Sequence, residues 1–134
     1  MEPQATGKPL VLVADDEAHI LHVVSLKLRN AGYEVLTAHD GEEAMELALQ
    51  HHPALVITDF QMPFMTGLEL CVKLKQTEST RDIPAIMLTA RGFAMAEDDL
   101  NPTNIAAVLS KPFSPRDVLA KVQELIEHQA GNPA

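Results

Sequence analysis

The sequence predicts a doubly wound α/β domain built on a five-stranded parallel sheet. Three observations carry that expectation. Short unbroken apolar runs such as Leu10-Val11-Leu12-Val13-Ala14 and Leu55-Val56-Ile57 recur along the chain, as in strands buried on both faces. Segments of helical periodicity alternate with these runs, strand then helix, five times, the pattern of crossover-connected parallel strands. Each run also breaks off at a polar or charged residue, which places polar groups at the carboxyl ends of the strands, where open α/β sheets bind ligands.

The elements follow in order. Pro9 to Ala14 reads as the first strand and runs into Asp15-Asp16-Glu17. From Glu17 to Asn30, Ile20, Leu21, Val24 and Leu28 recur at helical spacing, and Asn30-Ala31-Gly32 ends that helix. Tyr33 to Thr37 is a short strand. Asp40 caps the next helix, with Glu43 in capping-box position and Ala44, Leu47 and Ala48 on its apolar face. His51-His52-Pro53 closes it. Ala54 to Thr58 is the third strand, with Asp59 at its exit. Thr66-Gly67-Leu68-Glu69 starts a helix that buries Leu70, Cys71 and Leu74. Lys75 to Asp82 is a polar loop. Ile83 to Leu88 is the fourth strand, ending in Thr89-Ala90. Phe93 to Leu100 has room only for a short helix, because Pro102 stops it. Ile105 to Leu109 is the fifth strand and leads into Ser110-Lys111-Pro112. Ser114 caps the last helix, with Pro115 at its first position. Val118, Leu119, Val122, Leu125 and Ile126 form its apolar stripe. One domain is expected over residues 9–129, with a loose arm at 1–8 and a tail at 130–134.

Composition narrows the function. The chain has 134 residues, 46% apolar and 22% charged, ordinary for a soluble globular domain. Its net charge of −9 argues against a nucleic-acid surface, which needs clustered Lys and Arg. The acidic balance suits a divalent cation or a basic partner. The single Cys71 excludes an internal disulfide and fits a reducing compartment. No apolar run approaches the roughly 20 residues of a membrane span, and Met1 to Lys8 lacks the apolar stretch of a signal peptide. A cytoplasmic protein that binds no membrane is expected.

The strand ends hold the chemistry. The first delivers Asp15 and Asp16, the third Asp59, the fourth Thr89 and the fifth Lys111. In a sheet ordered 2-1-3-4-5 the first and third strands are neighbours, so the three carboxylates converge. Like charges so close oppose one another's ionisation unless a cation compensates. All-oxygen ligation suits Mg²⁺. Lys111 is a point charge for a carboxylate or phosphoryl oxygen, and Thr89 offers a hydroxyl. A carboxylate can act as nucleophile toward phosphorus, and the transferring group needs alignment and charge neutralisation above all. Phosphoryl transfer to Asp59 is the chemistry this set serves.

At these residues the chain resembles the receiver domains of two-component response regulators, in particular the single-domain chemotaxis kind. The resemblance covers residues 9–129 and implies a flavodoxin-like fold. It rests on Asp15-Asp16, on Asp59 followed by Met62-Pro63 and Gly67, on Leu88-Thr89-Ala90, and on Lys111-Pro112-Phe113. Each mark is common alone; together, in order and at strand ends, they are specific. The resemblance implies Asp59 as phosphoacceptor, Asp15, Asp16, Asp59 and the backbone carbonyl of Gln61 as Mg²⁺ ligands, and Thr89 and Lys111 as phosphoryl-binding groups. It also implies a cis peptide before Pro112, a histidine kinase or histidine phosphotransfer protein as donor, a downstream protein partner, and a signalling role rather than that of a turnover enzyme. Signalling would alter the surface over residues 90–127. Three departures from the common pattern stand out. Val108 stands where relatives often carry an aromatic switch residue. Phe64 stands where many have glycine. Gln61 and Arg91 occupy variable positions flanking the phosphoryl group.

Two other functions compete. A haloacid dehalogenase-type phosphatase shares the Asp, Thr, Lys and Mg²⁺ set but needs Asp-x-Asp, where this chain has Asp15-Asp16-Glu17, and usually a cap domain. A pseudo-receiver adaptor is expected to lose an acidic or Lys position, and none is lost. No Gly-x-Gly-x-x-Gly follows the first strand, which disfavours a dinucleotide module. The six histidines lack structural-zinc spacing. Glu97-Asp98-Asp99 reads as a solvated face, and Met62, Met65, Met87 and Met95 as packing residues.

Overall fold

The computed structural model describes residues 8–90 and 102–130, with side chains through 127. Five parallel strands lie in the order β2-β1-β3-β4-β5. They are β1 (Leu10–Ala14), β2 (Glu34–Ala38), β3 (Leu55–Asp59), β4 (Ala85–Thr89) and β5 (Ile105–Ser110). The described helices are α1 (Ala18–Asn30), α2 (Gly41–His51), α3 (Gly67–Gln76) and α4 (Pro115–Ala130). The expected helix over Phe93–Leu100 lies outside the described residues.

Strand alternation divides the core in two. Val11, Val13, Leu55, Ile57, Ile86 and Leu88 point to one face, where Val24 and Leu28 of α1 and Val118 and Val122 of α4 cover them. Leu12, Ala14, Val56, Ala85 and Met87 point to the other, under Ala44 and Ala48 of α2 and Leu70, Cys71 and Leu74 of α3. Helices on both faces explain why the central strands read as unbroken apolar runs. Burying one such side chain contributes roughly 1.5–3 kcal/mol. Among the described residues, no helix is long and apolar enough to cross a membrane.

Local chemistry sets the element ends. Thr66 and Glu69 form the expected capping box on α3, the Thr66 hydroxyl accepting from the Glu69 N–H at 3.1 Å and the Glu69 carboxylate accepting from the Thr66 N–H at 2.9 Å. On α2 only half of the expected box forms. Asp40 accepts from the Glu43 N–H at 2.8 Å, but the Glu43 carboxylate reaches one residue further back, to the His39 N–H at 2.7 Å. Ser114 caps α4 through the Asp117 N–H at 3.1 Å. Strand β4 starts at Ala85 rather than Ile83, because Pro84 has no N–H to give a ladder.

Two close approaches set the loops after β2 and β3. A Cβ at Gly67 would lie 2.2 Å from the carbonyl oxygen of Asp59, and one at Gly41 2.5 Å from that of Met65. Gly67 therefore lets α3 begin directly against the end of β3, an arrangement tied by its N–H to the Phe60 carbonyl at 2.7 Å. Gly67→Ala should lower stability by about 1–3 kcal/mol, the usual penalty of an overpacked site. Thermal and urea melts check this, and a variant as stable as the parent would contradict the close packing.

Candidate functional site

Five residues singled out in the sequence gather at the carboxyl edge of the sheet. The N–H of Asp15 donates to the Ala38 carbonyl at 3.1 Å, which holds this residue against the end of β2. Its side chain is fully buried. One oxygen, Oδ1, accepts from the Glu17 N–H at 2.9 Å. The other, Oδ2, is buried with no hydrogen-bond partner among the described residues. Asp16 is exposed beside it. Asp59 ends β3 and is almost fully buried. A carboxylate oxygen from each of Asp15, Asp16 and Asp59 lies within 4.8 Å of the others.

Lys111 closes this cluster. Its Nζ lies 3.1 Å from Asp59 Oδ1 and 3.7 Å from Glu17 Oε1. Its backbone N–H donates to the Thr89 carbonyl at 2.8 Å, so the ends of β4 and β5 move as one piece. The Thr89 hydroxyl is buried and has no partner among the described residues. Asp59, Phe60, Gln61, Ala90 and Lys111 line a cleft of about 100 Å³. The Lys111–Pro112 peptide is cis. Behind Asp59, the Thr58 hydroxyl donates to the Asp59 carbonyl at 3.0 Å and lies 3.8 Å from Met62 Sδ.

The electrostatics follow from burial. Burial pushes the Asp15 carboxyl up from 3.8 to about 6; the Glu17 N–H opposes this and the Asp59 charge adds to it. Burial also raises Asp59, outweighing the hydrogen bond and charge of Lys111. For Lys111, burial works downward, but the Asp59 carboxylate overrides it and holds the ammonium above its usual range. Among the described residues, three clustered carboxylates face one ammonium, a surplus of negative charge in a confined space. The partnerless Asp15 oxygen and the all-oxygen donor set fit a hard divalent cation of the Mg²⁺ kind.

The sequence matches the family model of the response regulator receiver domain over residues 11–123. The chain belongs to this family. It is 36% identical to the phosphate regulon transcriptional regulatory protein PhoB of Pseudomonas aeruginosa over 118 residues, 87% of this chain and 51% of that protein. The chain spans about half the length of such curated relatives. Among solved structures, the chemotaxis response regulator CheY4 of Vibrio cholerae superposes with a TM-score of 0.81 at 33% identity, covering 88% of this chain and 98% of that one. The receiver domain of the sensor histidine kinase PA1611 of Pseudomonas aeruginosa, solved with a magnesium ion coordinated in its active site cleft, shares the fold. Its TM-score is 0.79 at 24% identity, covering 89% and 98% of the two chains. Receiver domains are signalling modules, and they bind Mg²⁺ at an acidic site.

Two contributors escaped the sequence reading. Glu17 reads there only as a helix start, yet its N–H orients Asp15 and its carboxylate approaches Lys111. The run Asp15-Asp16-Glu17 carried that signal. Gly67 reads as a family mark, and its physical reason is contact with the Asp59 backbone.

The Asp15 shift makes a pH prediction. A carboxyl whose folded pKa is raised holds its proton more tightly folded than unfolded. Its stabilising contribution is full below about 3.8 and is lost as pH rises through about 6. In chelator, Asp15→Asn should therefore gain stability over the parent as pH rises from 4 to 7, by on the order of 2–3 kcal/mol. Urea unfolding across that range reads the difference, and a gap that does not change with pH would contradict the buried, raised carboxyl.

Proposed function

We propose that this receiver domain, taken as residues 9–129, accepts a phosphoryl group on Asp59 from a histidine kinase or a histidine phosphotransfer protein, and thereby switches a protein-interaction surface. The observation that carries this reading is Lys111 Nζ at 3.1 Å from Asp59 Oδ1 within a tight group of carboxylates. That arrangement leaves Asp59 oriented and adjacent to a counter-charge for incoming phosphoryl oxygens.

In the step, an Asp59 oxygen forms a bond to phosphorus while the donor's P–N bond breaks, and the bond's electron pair leaves with the imidazole. Lys111 exchanges its carboxylate partner for a phosphoryl oxygen. The partnerless Thr89 hydroxyl donates to another. Mg²⁺, held by Asp15, Asp16, Asp59 and the Gln61 backbone carbonyl, would supply charge neutralisation to the transferring group. The Glu17 N–H keeps Asp15 turned toward this site.

Phosphorylation replaces one carboxylate by a group with more charge and more acceptor oxygens. Thr89 and Lys111 respond together because their backbones are joined. Both lead into β5 and α4, so the output surface lies within residues 90–127. Val108 is too short to swing as an aromatic residue would, so the change passes through Thr89 and Lys111 themselves. The size of the switch is set by how differently the two states bind the phosphoryl group.

Intact mass after incubation with acetyl phosphate and Mg²⁺ should show one added phosphoryl group on the parent and none on Asp59→Asn. Equal labelling of both proteins would remove Asp59 from this role, and an unlabelled parent would favour a docking adaptor. Mg²⁺ at ten times its Kd should stabilise the parent by about 1.4 kcal/mol. A melting temperature indifferent to Mg²⁺ would count against the metal ligands.

A further inference from the structure

The turn between β3 and α3 displays a ring that the phosphoacceptor site does not use. Phe64 is 80% exposed and its φ is +71°. Left-handed backbone crowds any side chain, and a bulky one most. His52, also left-handed, serves as the C-cap of α2. Phe64 is the central residue of a tight turn closed by the Met65 N–H on the Pro63 carbonyl at 2.7 Å, and its ring faces solvent. Strain retained beside a functional site points to use.

That ring borders a groove of about 470 Å³, shared with Met65, Leu68 and Val72. Leu68 and Val72 stand one helical turn apart on α3, forming a short apolar stripe. A second groove of about 480 Å³ meets the first at Met65 and Lys73. Its α2 side presents Glu42, Glu43 and Glu46, with Asp40 at the helix cap. The face is thus an apolar strip whose margin carries Glu42, Glu43, Glu46, Glu69 and Asp40 against the cation Lys73, a net acidic edge.

We propose that this α2–α3 face docks a basic amphipathic helix from a partner protein. Apolar residues of that helix, one turn apart, seat against Phe64, Leu68 and Val72. Its Lys or Arg side chains meet the α2 carboxylates. Charge selects this occupant. A second copy of a chain with net charge −9 would bring more carboxylates to the acidic margin. Nucleic acid or an anionic membrane surface would be repelled for the same reason. The inference stands apart from the phosphoacceptor reading, since the face includes none of Asp15, Asp16, Asp59, Thr89 or Lys111.

The test is an NMR titration of the full chain in chelator, without phosphodonor. Two synthetic helical peptides carry the same Leu stripe, one flanked by Lys and the other by Glu. The Lys-flanked peptide should shift amides of residues 40–49 and 64–73, and salt should weaken it. Phe64→Gly should weaken binding about tenfold, as loss of an aromatic anchor does. That variant relieves the left-handed strain, so its melting temperature should not fall and misfolding cannot explain the loss. Glu46→Lys should weaken binding about threefold. Several results overturn the proposal: no saturable shift at millimolar Lys-flanked peptide, shifts mapping elsewhere, equal affinity for the Glu-flanked peptide, or undiminished binding by Phe64→Gly. Concentration-dependent shifts of the same residues without peptide would instead assign the face to self-association.

Discussion

Everything at the carboxyl edge of the sheet depends on one arrangement: two buried carboxylates on adjacent strands, met by the Lys111 ammonium. Asp15 and Asp59 are both shielded from water, and among the described residues Lys111 is the cation that stands against them. Buried charge is costly unless paired and hydrogen-bonded. Here the pairing is incomplete, since one Asp15 oxygen has no partner among the described residues. The domain accepts that cost at a place where added positive charge, or a group that draws Lys111 away, changes the balance. A buried carboxylate left without a full set of partners lowers stability.

The backbone is built to hold this imbalance in place. The strand order puts β1 beside β3, so the carboxylates meet without any long loop. Gly67 allows α3 to start against the Asp59 carbonyl, and the Thr66–Glu69 box anchors that start. The Thr89 carbonyl holds the Lys111 N–H. Each contact is modest, about 1 kcal/mol net for an ordinary hydrogen bond. Together they tie the carboxylates to the ends of two strands. Phe64 is the exception to this economy, a ring kept in backbone that glycine would occupy without strain.

Much of this was legible in the sequence because parallel sheets write themselves plainly. Strands buried on both faces leave continuous apolar runs, and Leu55-Val56-Ile57 and Ile86-Met87-Leu88 are both of this kind. Polar residues that interrupt such runs fall at strand ends, which is how Asp15, Asp59 and Lys111 showed themselves. Less legible was what depends on three-dimensional closeness. The run Asp15-Asp16-Glu17 hints that Glu17 belongs with Asp15, but its approach to Lys111 joins residues far apart in the chain and has no local signal. The half-formed box at Asp40 and Glu43 follows from the position of the His39 N–H, which spacing does not encode. The start of β4 shifted because Pro84 contributes no donor, a rule the run Ile83 to Leu88 hides under its apolar character.

The central claim is that Asp15 and Asp59 form a charge-frustrated pair that a divalent cation relieves. Carbon-13 NMR of the side-chain carboxyls reads this directly, residue by residue, in chelator and in Mg²⁺. The account predicts that Asp15 titrates near 6 in chelator, that Asp59 also lies above the ordinary range, and that both fall when Mg²⁺ is added. An Asp15 that titrates at the ordinary carboxylate value and does not move with Mg²⁺ would contradict it.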